Sequence, residues 1–595
     1  MGSYWLWPLL AVTPDGDFRS TFFVVGSWVY YALVIGVIAV VVGRLGNWAE
    51  AARRVGMWLR TDPASVGGPS PGDRQYDPET DPARWPQVRA EGAGEVADRL
   101  TDALVNGRMT DVDYARISHA WLSGRDRAAV AAQVRDHGAA ACAHFSGGRD
   151  LSVRRGQYDV VTRQVRLGAA VDDTRTPHAY RGAGVAVGPD VLGTSLVAAG
   201  PQEITSARVV RPVVEAVCLD ALARRAAVVA VVSHPAAVPA EDDFDVVVRP
   251  GGWSLDLYAD VDDADVAAGL LAECLVGDLA GSVPGGEGSR AAAALAQVLG
   301  PWRAVHGAFP TVPELRALLD ESSVRAALRA ELEARQASPL LRELDAFERR
   351  AGAAGGLLEM LGDRLATLDR PALAELLAVP RGEAGGRRVF SLRDLHRPVR
   401  VRLGLPAYTH PEASRMLARL VLAQFAVWAP SRPRDVFALL ALDDAAGVIT
   451  PHGVRALHAL RSSHAGAVLA LRTLADVPEA LRGPLLAASG CRVACAGLST
   501  WDAQHFAAAW GTKWVEDRTV THHEVRAEEP MTKVVHAIRR LATGQRVTRE
   551  SVTTRREERP HWTASELAGI PADHAVINVS SAAGDQAPPV MTKLG

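Results

Sequence analysis

Lysine is almost absent from this chain. Of its 65 lysine and arginine residues, only Lys513, Lys533 and Lys593 are lysines. A phosphate-binding loop of the common kind needs a lysine next to the β- and γ-phosphates, in addition to glycines and a hydroxyl side chain. The sequence therefore excludes a loop with that lysine from every position before residue 513.

Cysteine is also scarce, and no charge of one sign dominates. Five cysteines are present, and the close pair Cys491 and Cys495 has no second pair or nearby histidine that would complete a zinc site. We therefore expect buried, reduced thiols. The net charge is −3, so any contact with DNA would need a local basic patch. Hydrophobic residues make up 48% of the 595 residues, which excludes global disorder.

One long run of the sequence contains no charged residue. It covers residues 22–43 and, at about 1.5 Å per residue, is long enough to cross a hydrocarbon core of about 30 Å. Only one arginine precedes the run, whereas four follow it: Arg44, Arg53, Arg54 and Arg60. Because positive charge is enriched on the cytoplasmic side, this asymmetry orients the segment. The sequence predicts a short external segment at 1–20 and a transmembrane helix at 21–43. The protein would then be a single-pass protein of the inner (cytoplasmic) cell membrane, with most of its chain in the cytoplasm.

The rest of the chain divides by its pattern of apolar residues. Residues 44–90 read as a juxtamembrane segment and a Pro/Gly-rich linker, and residues 91–184 as a helical or mixed connecting region. Short apolar strands then alternate with helices, which predicts an α/β fold with a parallel sheet covered on both faces. We expect a first α/β part at 185–288, an inserted all-α subdomain at 289–395 and a second α/β part at 396–595. The predicted strands are 192–200, 226–232, 245–250, 399–406, 436–444, 467–472, 491–498 and 575–581.

Several stretches occur in an order that is typical of one protein family. They are VRVRLGLP, the helix pattern PEASRMLARLVLAQFAVWAP, the strand FALLALDDAAG, the segment HALRSSHAGAVLALRTL, then GLSTWDAQHFAAAWG and HWTASELAGIPADHAVINVSS. In this order they resemble the type IV coupling proteins, the membrane-anchored hexameric ATPases that feed DNA into conjugation machines. The resemblance spans about residues 185–590. It implies a RecA-like, P-loop-type parallel sheet that carries the inserted helical subdomain.

The resemblance also implies cofactors and partners. ATP and Mg²⁺ would be the cofactors, and the partners would be DNA and the proteins of a conjugation or secretion apparatus. The chain would assemble as a homo-oligomer, or as a hetero-oligomer with an active motor.

Carried onto this sequence, the family's phosphate loop is incomplete. The strand LVAAG delivers the loop at Gly200, and the lysine position holds Ser206, or Thr205 if one residue is deleted. Glu203 adds a negative charge where the phosphates would lie. The candidate nucleotide-binding residues are therefore Gly200, Thr205 and Ser206, and we expect binding of ATP and Mg²⁺ to be weak.

The other residues that the resemblance assigns to the site lie on later strands. Asp443 matches the aspartate that orders Mg²⁺, and Asp444 replaces the glutamate that activates water, with a side chain one methylene shorter. Arg472 stands where the family has a glutamine that senses the γ-phosphate. Arg461 matches an arginine finger, although a plain surface arginine at a helix end would look the same. The loop that starts at Gly200 and the carboxylates Asp443 and Asp444 should converge at the carboxyl edge of one parallel sheet, about 10 Å apart or less.

Three functions remain open from the sequence. The first is a coupling-protein-like component of a conjugative DNA-transfer or type IV secretion-like system in which ATP hydrolysis is impaired or absent, a pseudo-ATPase. The second is an active DNA-translocating ATPase in which Arg208 or Arg472 neutralises the phosphates. The third is a membrane scaffold that keeps the fold without binding DNA. The missing lysine and the altered residues around the site favour the first.

The predicted membrane topology can be tested with reporter fusions. A reporter that is active only in the cytoplasm should be active when it is fused after Glu50 or at the C-terminus. A reporter that is active only outside the cytoplasm should work only when it is fused before Phe22, because the arginines that follow the apolar run stay inside. External-type reporter activity of a C-terminal fusion, measured in intact cells, would contradict this orientation.

Overall fold

The computed structural model describes residues 81–234, 237–279, 287–353, 356–379, 388–524, 548–581 and 583–595. The chain divides into two units, Met1–Pro86 and Gln87–Gly595, and the sheets belong to the second unit. The predicted transmembrane helix at 21–43 lies outside the described residues. Within the described ranges, no helix combines the length and the apolar character that crossing a membrane requires.

The elements follow one another in the order helices, mixed sheet, helices, sheet. The helices of eight or more residues are α1 Gly94–Val105, α2 Asp111–Leu122, α3 Arg127–His137, α4 Arg211–Leu222, α5 Ala264–Val276, α6 Glu287–His306, α7 Val312–Asp320, α8 Ser322–Ala334, α9 Ser338–Ala353, α10 Leu357–Leu368, α11 Pro411–Trp428, α12 Pro451–Leu460, α13 Glu479–Ala488 and α14 Thr500–Trp510. The strands are β1 Gln157–Asp159, β2 Gln164–Ala170, β3 Gly184–Val187, β4 Leu196–Ala199, β5 Ala226–Val232, β6 Val246–Val248, β7 Ser254–Asp256, β8 Leu377–Ala378, β9 Val389–Phe390, β10 Arg400–Gly404, β11 Phe437–Leu442, β12 Ala465–Leu471, β13 Cys491–Cys495, β14 Thr512–Glu524, β15 Thr548–Pro560, β16 His574–Val579 and β17 Val590–Leu594.

The main sheet is mostly parallel. Its parallel part has the strand order β6–β10–β5–β11–β12–β4–β13, and β16, β17, β2 and β1 continue it as antiparallel strands, with β3 also paired to β2. The register is continuous in the centre, where Leu440 of β11 lies opposite Val229 of β5 and Ala467 of β12. The predicted α/β class with a parallel central sheet is confirmed.

Helices cover both faces of this sheet. On β5, Val229 and Val231 belong to one hydrophobic cluster, whereas Val228 and Ala230 belong to another. The first cluster is completed by buried residues of α5, α6 and α11, and the second by those of α4. Because every residue of β5 is buried on one face or the other, its sequence AAVVAVV shows no alternation between polar and apolar residues.

Two smaller parts flank the main sheet. Helices α6 to α10 form a helical group, in which α6 packs against α9, and α6 also packs against α5 of the main sheet's covering layer. Helix α13 is not part of this group and lies in the carboxyl-terminal half of the chain. Strands β14 and β15 pair with each other over thirteen residues each and form a separate two-stranded sheet. Polar and charged residues make up most of their sequences, and neither strand is among those that the sequence predicts.

Buried charges join the region that precedes the sheet to strand β10. The guanidinium of Arg400 donates to both carboxylate oxygens of Asp245, with N–O distances of 2.6 and 3.1 Å, and to the Ser146 hydroxyl at 2.9 Å. The His144 Nδ1 atom lies 2.8 Å from the same hydroxyl and 3.6 Å from Asp245. Burial lowers the pKa of His144 from 6.5 to about 4, more than the nearby Asp245 raises it. The ring is therefore neutral at neutral pH.

This histidine should make the fold sensitive to acid. The unfolded chain binds the proton at a pKa near 6.5, so the stability linked to the neutral ring is complete above that value and is lost as the pH falls towards 4. Between pH 7 and pH 5, the parent should lose about 1–2 kcal/mol more unfolding free energy than His144→Gln. Urea unfolding at the two pH values measures this difference. The exposed His137, changed to Gln, serves as the control and should follow the parent. Parallel pH curves for the parent and His144→Gln would contradict the assignment.

Candidate functional site

The carboxyl ends of the central strands bring the predicted site residues to one edge of the sheet. Strand β4 ends before Gly200, β11 before Asp443 and β12 before Arg472, and all three strands run parallel. Strand β12 lies between β4 and β11, so two strand spacings, about 10 Å, separate the outer two. The convergence that the sequence predicts is therefore present.

The connection after β4 is too short to wrap a phosphate group. Gly200 has a φ of +146°, and a Cβ placed on it would lie 2.7 Å from the Cβ of Cys495. Its N–H donates to the carbonyl of Leu471, and the helix begins directly afterwards, because the N–H groups of Ile204 and Thr205 both donate to the carbonyl of Pro201. The chain thus passes from strand to helix without the glycine-rich loop that surrounds phosphates in P-loop proteins.

The two hydroxyl candidates lie inside this helix. Thr205 and Ser206 are both buried, in a π-helical turn that spans Thr205–Val210. The Thr205 hydroxyl donates to the carbonyls of Pro201 and Gln202 at 3.3 and 3.4 Å, and the Ser206 hydroxyl has no partner among the described residues. Buried hydroxyls of this kind are not presented to a metal ion or to a phosphate at the sheet edge.

Arg208 is engaged by residues beside β16 and β17. Its guanidinium donates to the backbone carbonyl of Gly595 and lies 3.5 Å from the carboxylate of Asp573. Both partners lie on the antiparallel side of the sheet, next to β16 and β17. Glu203, in contrast, is exposed near the start of the helix. Arg208, one of the two cations that the second hypothesis offers for the phosphates, is therefore engaged elsewhere.

Asp443 is the best-fixed residue of the group, and its partners are backbone groups. It is 2% exposed, and its carboxylate accepts hydrogen bonds from the N–H of Ser233 at 2.8 and 2.9 Å and from the N–H of His234 at 2.7 Å. Burial raises its pKa from 3.8 to about 6, and the backbone donors offset part of this rise. The native state therefore gains stability from protonation that is complete below pH 3.8 and is lost as the pH rises through 6. Both carboxylate oxygens accept hydrogen bonds from the turn that follows β5.

Asp444 and Arg472 face each other. The Asp444 carboxylate accepts from the N–H of Ala446 at 3.0 Å, and its other oxygen lies 3.4 Å from an Arg472 guanidinium nitrogen. The residue at the water-activating position is thus paired with the cation at the sensor position. Arg461 is exposed at the end of α12 and donates to the carbonyl of Ser581 at 3.1 Å.

An open cleft of about 220 Å³ lies beside these residues. It is lined by Gln202, Ser233, His234, Leu405, Ala407, Tyr408, Pro411, Ser414, Arg415, Ala418, Asp444, Ala446, Val448 and Arg472. Half of this lining comes from the loop after β10 and the first turns of α11, which the sequence does not mark as part of a site. A Leu-Pro pair followed by a helix is the one signal that locates it.

No metal centre emerges from the described ranges. Within them, no group of three or more His, Cys, Asp or Glu side chains is arranged to hold a metal ion. Asp443, the metal ligand that the resemblance implies, already accepts three backbone hydrogen bonds. The five cysteines are free and buried, as the sequence predicts.

The structural role of Asp443 can be measured by unfolding. We expect Asp443→Ala to lower the free energy of unfolding by about 1–3 kcal/mol, because the Ser233 and His234 N–H groups lose their acceptor. Asp444→Ala is the matched control and should cost less than about 1 kcal/mol, since it removes one hydrogen bond at a more exposed position. Urea midpoints of the two variants test this ranking. Equal losses would show that the Asp443 carboxylate does not hold the turn.

Comparison with known proteins gives matches among solved structures. No family model and no curated protein matches the chain. The unbound form of the bacterial conjugative coupling protein TrwBΔN70 is 15% identical with a TM-score of 0.46, covering 71% of this chain and 89% of that chain. The plasmid coupling protein TrwB in complex with the GTP analogue GDPNP is 14% identical with a TM-score of 0.44, and the match covers 75% of this chain and 96% of that chain. The complex of TrwB with ADP and Mg²⁺ is 14% identical with a TM-score of 0.42, and the match covers 76% of this chain and 96% of that chain. All three of these solved structures are of coupling proteins.

Proposed function

We propose that this protein is a membrane-anchored, coupling-protein-like component of a conjugative DNA-transfer or type IV secretion-like apparatus that does not hydrolyse ATP. The observation that carries the loss of hydrolysis is the Asp443 carboxylate, whose oxygens accept from the Ser233 and His234 backbone. In a working site of this kind, the carboxylate orders Mg²⁺.

The order of the elements supports the coupling-protein-like role. The stretches that carry the family resemblance fall on β10, α11, β11, α12, β12, α14 and β16, and all of their strands belong to one sheet. A RecA-like arrangement would place the phosphate strand and the aspartate strand in one parallel sheet with the sensor strand between them. Strands β4, β12 and β11 have this relation.

Three chemical requirements of hydrolysis are unmet in this arrangement. A phosphate cradle needs free backbone N–H groups and a cation, whereas the chain after Gly200 enters a helix and Arg208 pairs with Asp573. The metal needs a free carboxylate, and the attacking water needs a base that no cation neutralises. Loss of one charge-assisted contact alone, about 1.5–3 kcal/mol, weakens triphosphate binding about ten- to a hundred-fold.

A component without hydrolysis needs another subunit to supply the driving force. We propose that it acts in a hetero-oligomer with an active motor and that residues 21–43 anchor it in the inner membrane. Contact with DNA would come from local arginine-rich surface, because the net charge of the whole chain is −3. A scaffold that has no DNA partner would share the fold and the anchor, and it differs from our proposal in showing no salt-dependent DNA binding.

Turnover of ATP by the purified full-length chain tests the loss of hydrolysis. We expect less than about one turnover per second, the lower end of motor-like rates, with or without single-stranded DNA. Asp444→Ala should leave this low rate unchanged, and it is a better probe than Asp443→Ala because it preserves the turn after β5. Steady hydrolysis at or above that rate which Asp444→Ala abolishes would show that the site is active.

A further inference from the structure

The open cleft lies beside the degenerate phosphate site and has features of its own. Leu405, Ala418 and Val448 form the apolar floor of the cleft, beside the loop after β10 and α11. At the rim, the ring of Tyr408 is 88% exposed. The cleft therefore offers an apolar surface and an accessible aromatic face within one concave site.

A buried hydroxyl in the cleft wall has no hydrogen-bond partner. Ser414 is 4% exposed, lines the cleft, and its Oγ has no partner among the described residues. It lies in the first turns of α11, where a serine hydroxyl often bonds the carbonyl four residues earlier. Here the carbonyl of His410 accepts from the Ser414 backbone N–H instead. Buried polar groups are nearly always paired, so an unpaired donor in the wall of a cleft indicates a missing acceptor.

Two arginines point into the same cleft. The Arg415 side chain donates through Nε to the carbonyl of Pro411 at 3.3 Å and packs against Gly447, where a Cβ would lie 2.9 Å from its Cδ. Gly447 has a φ of +66° and leaves room for this side chain. Arg472 is 57% exposed and its contact with Asp444 is 3.4 Å, which makes that ion pair weak. Both guanidinium groups can therefore turn towards a ligand.

The charge balance favours an anionic group of modest size. Asp444, and Asp476 next to it, offset part of the field of the two arginines. The first turn of the 18-residue α11, which begins at Pro411, adds the positive end of a helix dipole. A group with a single phosphate or carboxylate matches this field, whereas a triphosphate would meet both carboxylates.

We propose that this cleft binds a small organic anion, in which one phosphate or carboxylate group is carried by an apolar or aromatic body. Arg415, Arg472 and the Ser414 hydroxyl hold the charged group, and the body packs on the floor and against the Tyr408 ring. The cleft shares Gln202, Asp444 and Arg472 with the region of the degenerate phosphate site, but the binding proposed here requires neither ATP nor hydrolysis. It therefore goes beyond the function proposed above.

Binding of phenyl phosphate and of benzoate to the purified full-length chain tests this site. Titration calorimetry should show saturable binding of at least one of them, with a Kd of about 1 mM or tighter. Arg415→Ala should weaken binding about ten-fold or more, because it removes a charge-assisted contact. Arg342→Ala is the control, since Arg342 is an exposed arginine of α9, and it should bind like the parent. No saturable binding of either compound, or binding that Arg415→Ala leaves unchanged, would overturn the proposal.

Ser414→Ala separates a ligand contact from a structural role. If the hydroxyl awaits a ligand, this variant should bind phenyl phosphate several-fold more weakly while its Tm stays equal to that of the parent or rises. A lowered Tm with unchanged binding would assign the hydroxyl to the fold and overturn its place in the site. Hydrolysis of ATP by a chain that still binds phenyl phosphate would refute the proposed function and leave the cleft intact, so the two failures are distinguishable.

Discussion

Burial of the central sheet on both faces governs where chemistry can occur in this protein. Strands such as β5, β11 and β12 are buried along their whole length, because their side chains pack against helices on either side. Polar residues can then meet only beyond the strand ends. The parallel direction of the strands gathers Gly200, Asp443 and Arg472 at one edge, and the same direction places the cleft there.

At that edge, a polar side chain that stabilises the fold through its hydrogen bonds is less available for binding or catalysis. A buried carboxylate needs hydrogen-bond donors, and Asp443 finds them in the backbone after β5. Asp444 is partly neutralised by its weak ion pair with Arg472. Both carboxylates at the sheet edge therefore already have partners in the described structure. Arg415, Arg472 and the Ser414 hydroxyl in the neighbouring cleft retain capacity to bind.

Much of the fold could be predicted because continuous apolar runs identify buried parallel strands. The run at 226–232 corresponds to β5 residue for residue, and the run at 436–444 contains β11. Strands β14 and β15 escape prediction because most of their residues are polar or charged, so neither contains a continuous apolar run. For the site, the sequence predicts only the edge of the sheet at which it lies. The partners of Asp443 are backbone N–H groups, which any residue supplies, so no side-chain pattern reveals them. The cleft joins residues from five separate strand ends and α11, which no local pattern connects.

The close approach of β13 to Gly200 also limits how this chain can evolve. A Cβ at Gly200 would lie 2.7 Å from that of Cys495, and Pro201 starts the helix at once, so extra loop residues would have to displace a neighbouring strand. A lysine introduced at the buried Ser206 would carry an unpaired charge into the interior. No single substitution therefore supplies both a phosphate loop and its cation at this position. Under the proposed function, a return to hydrolysis would need several changes made together.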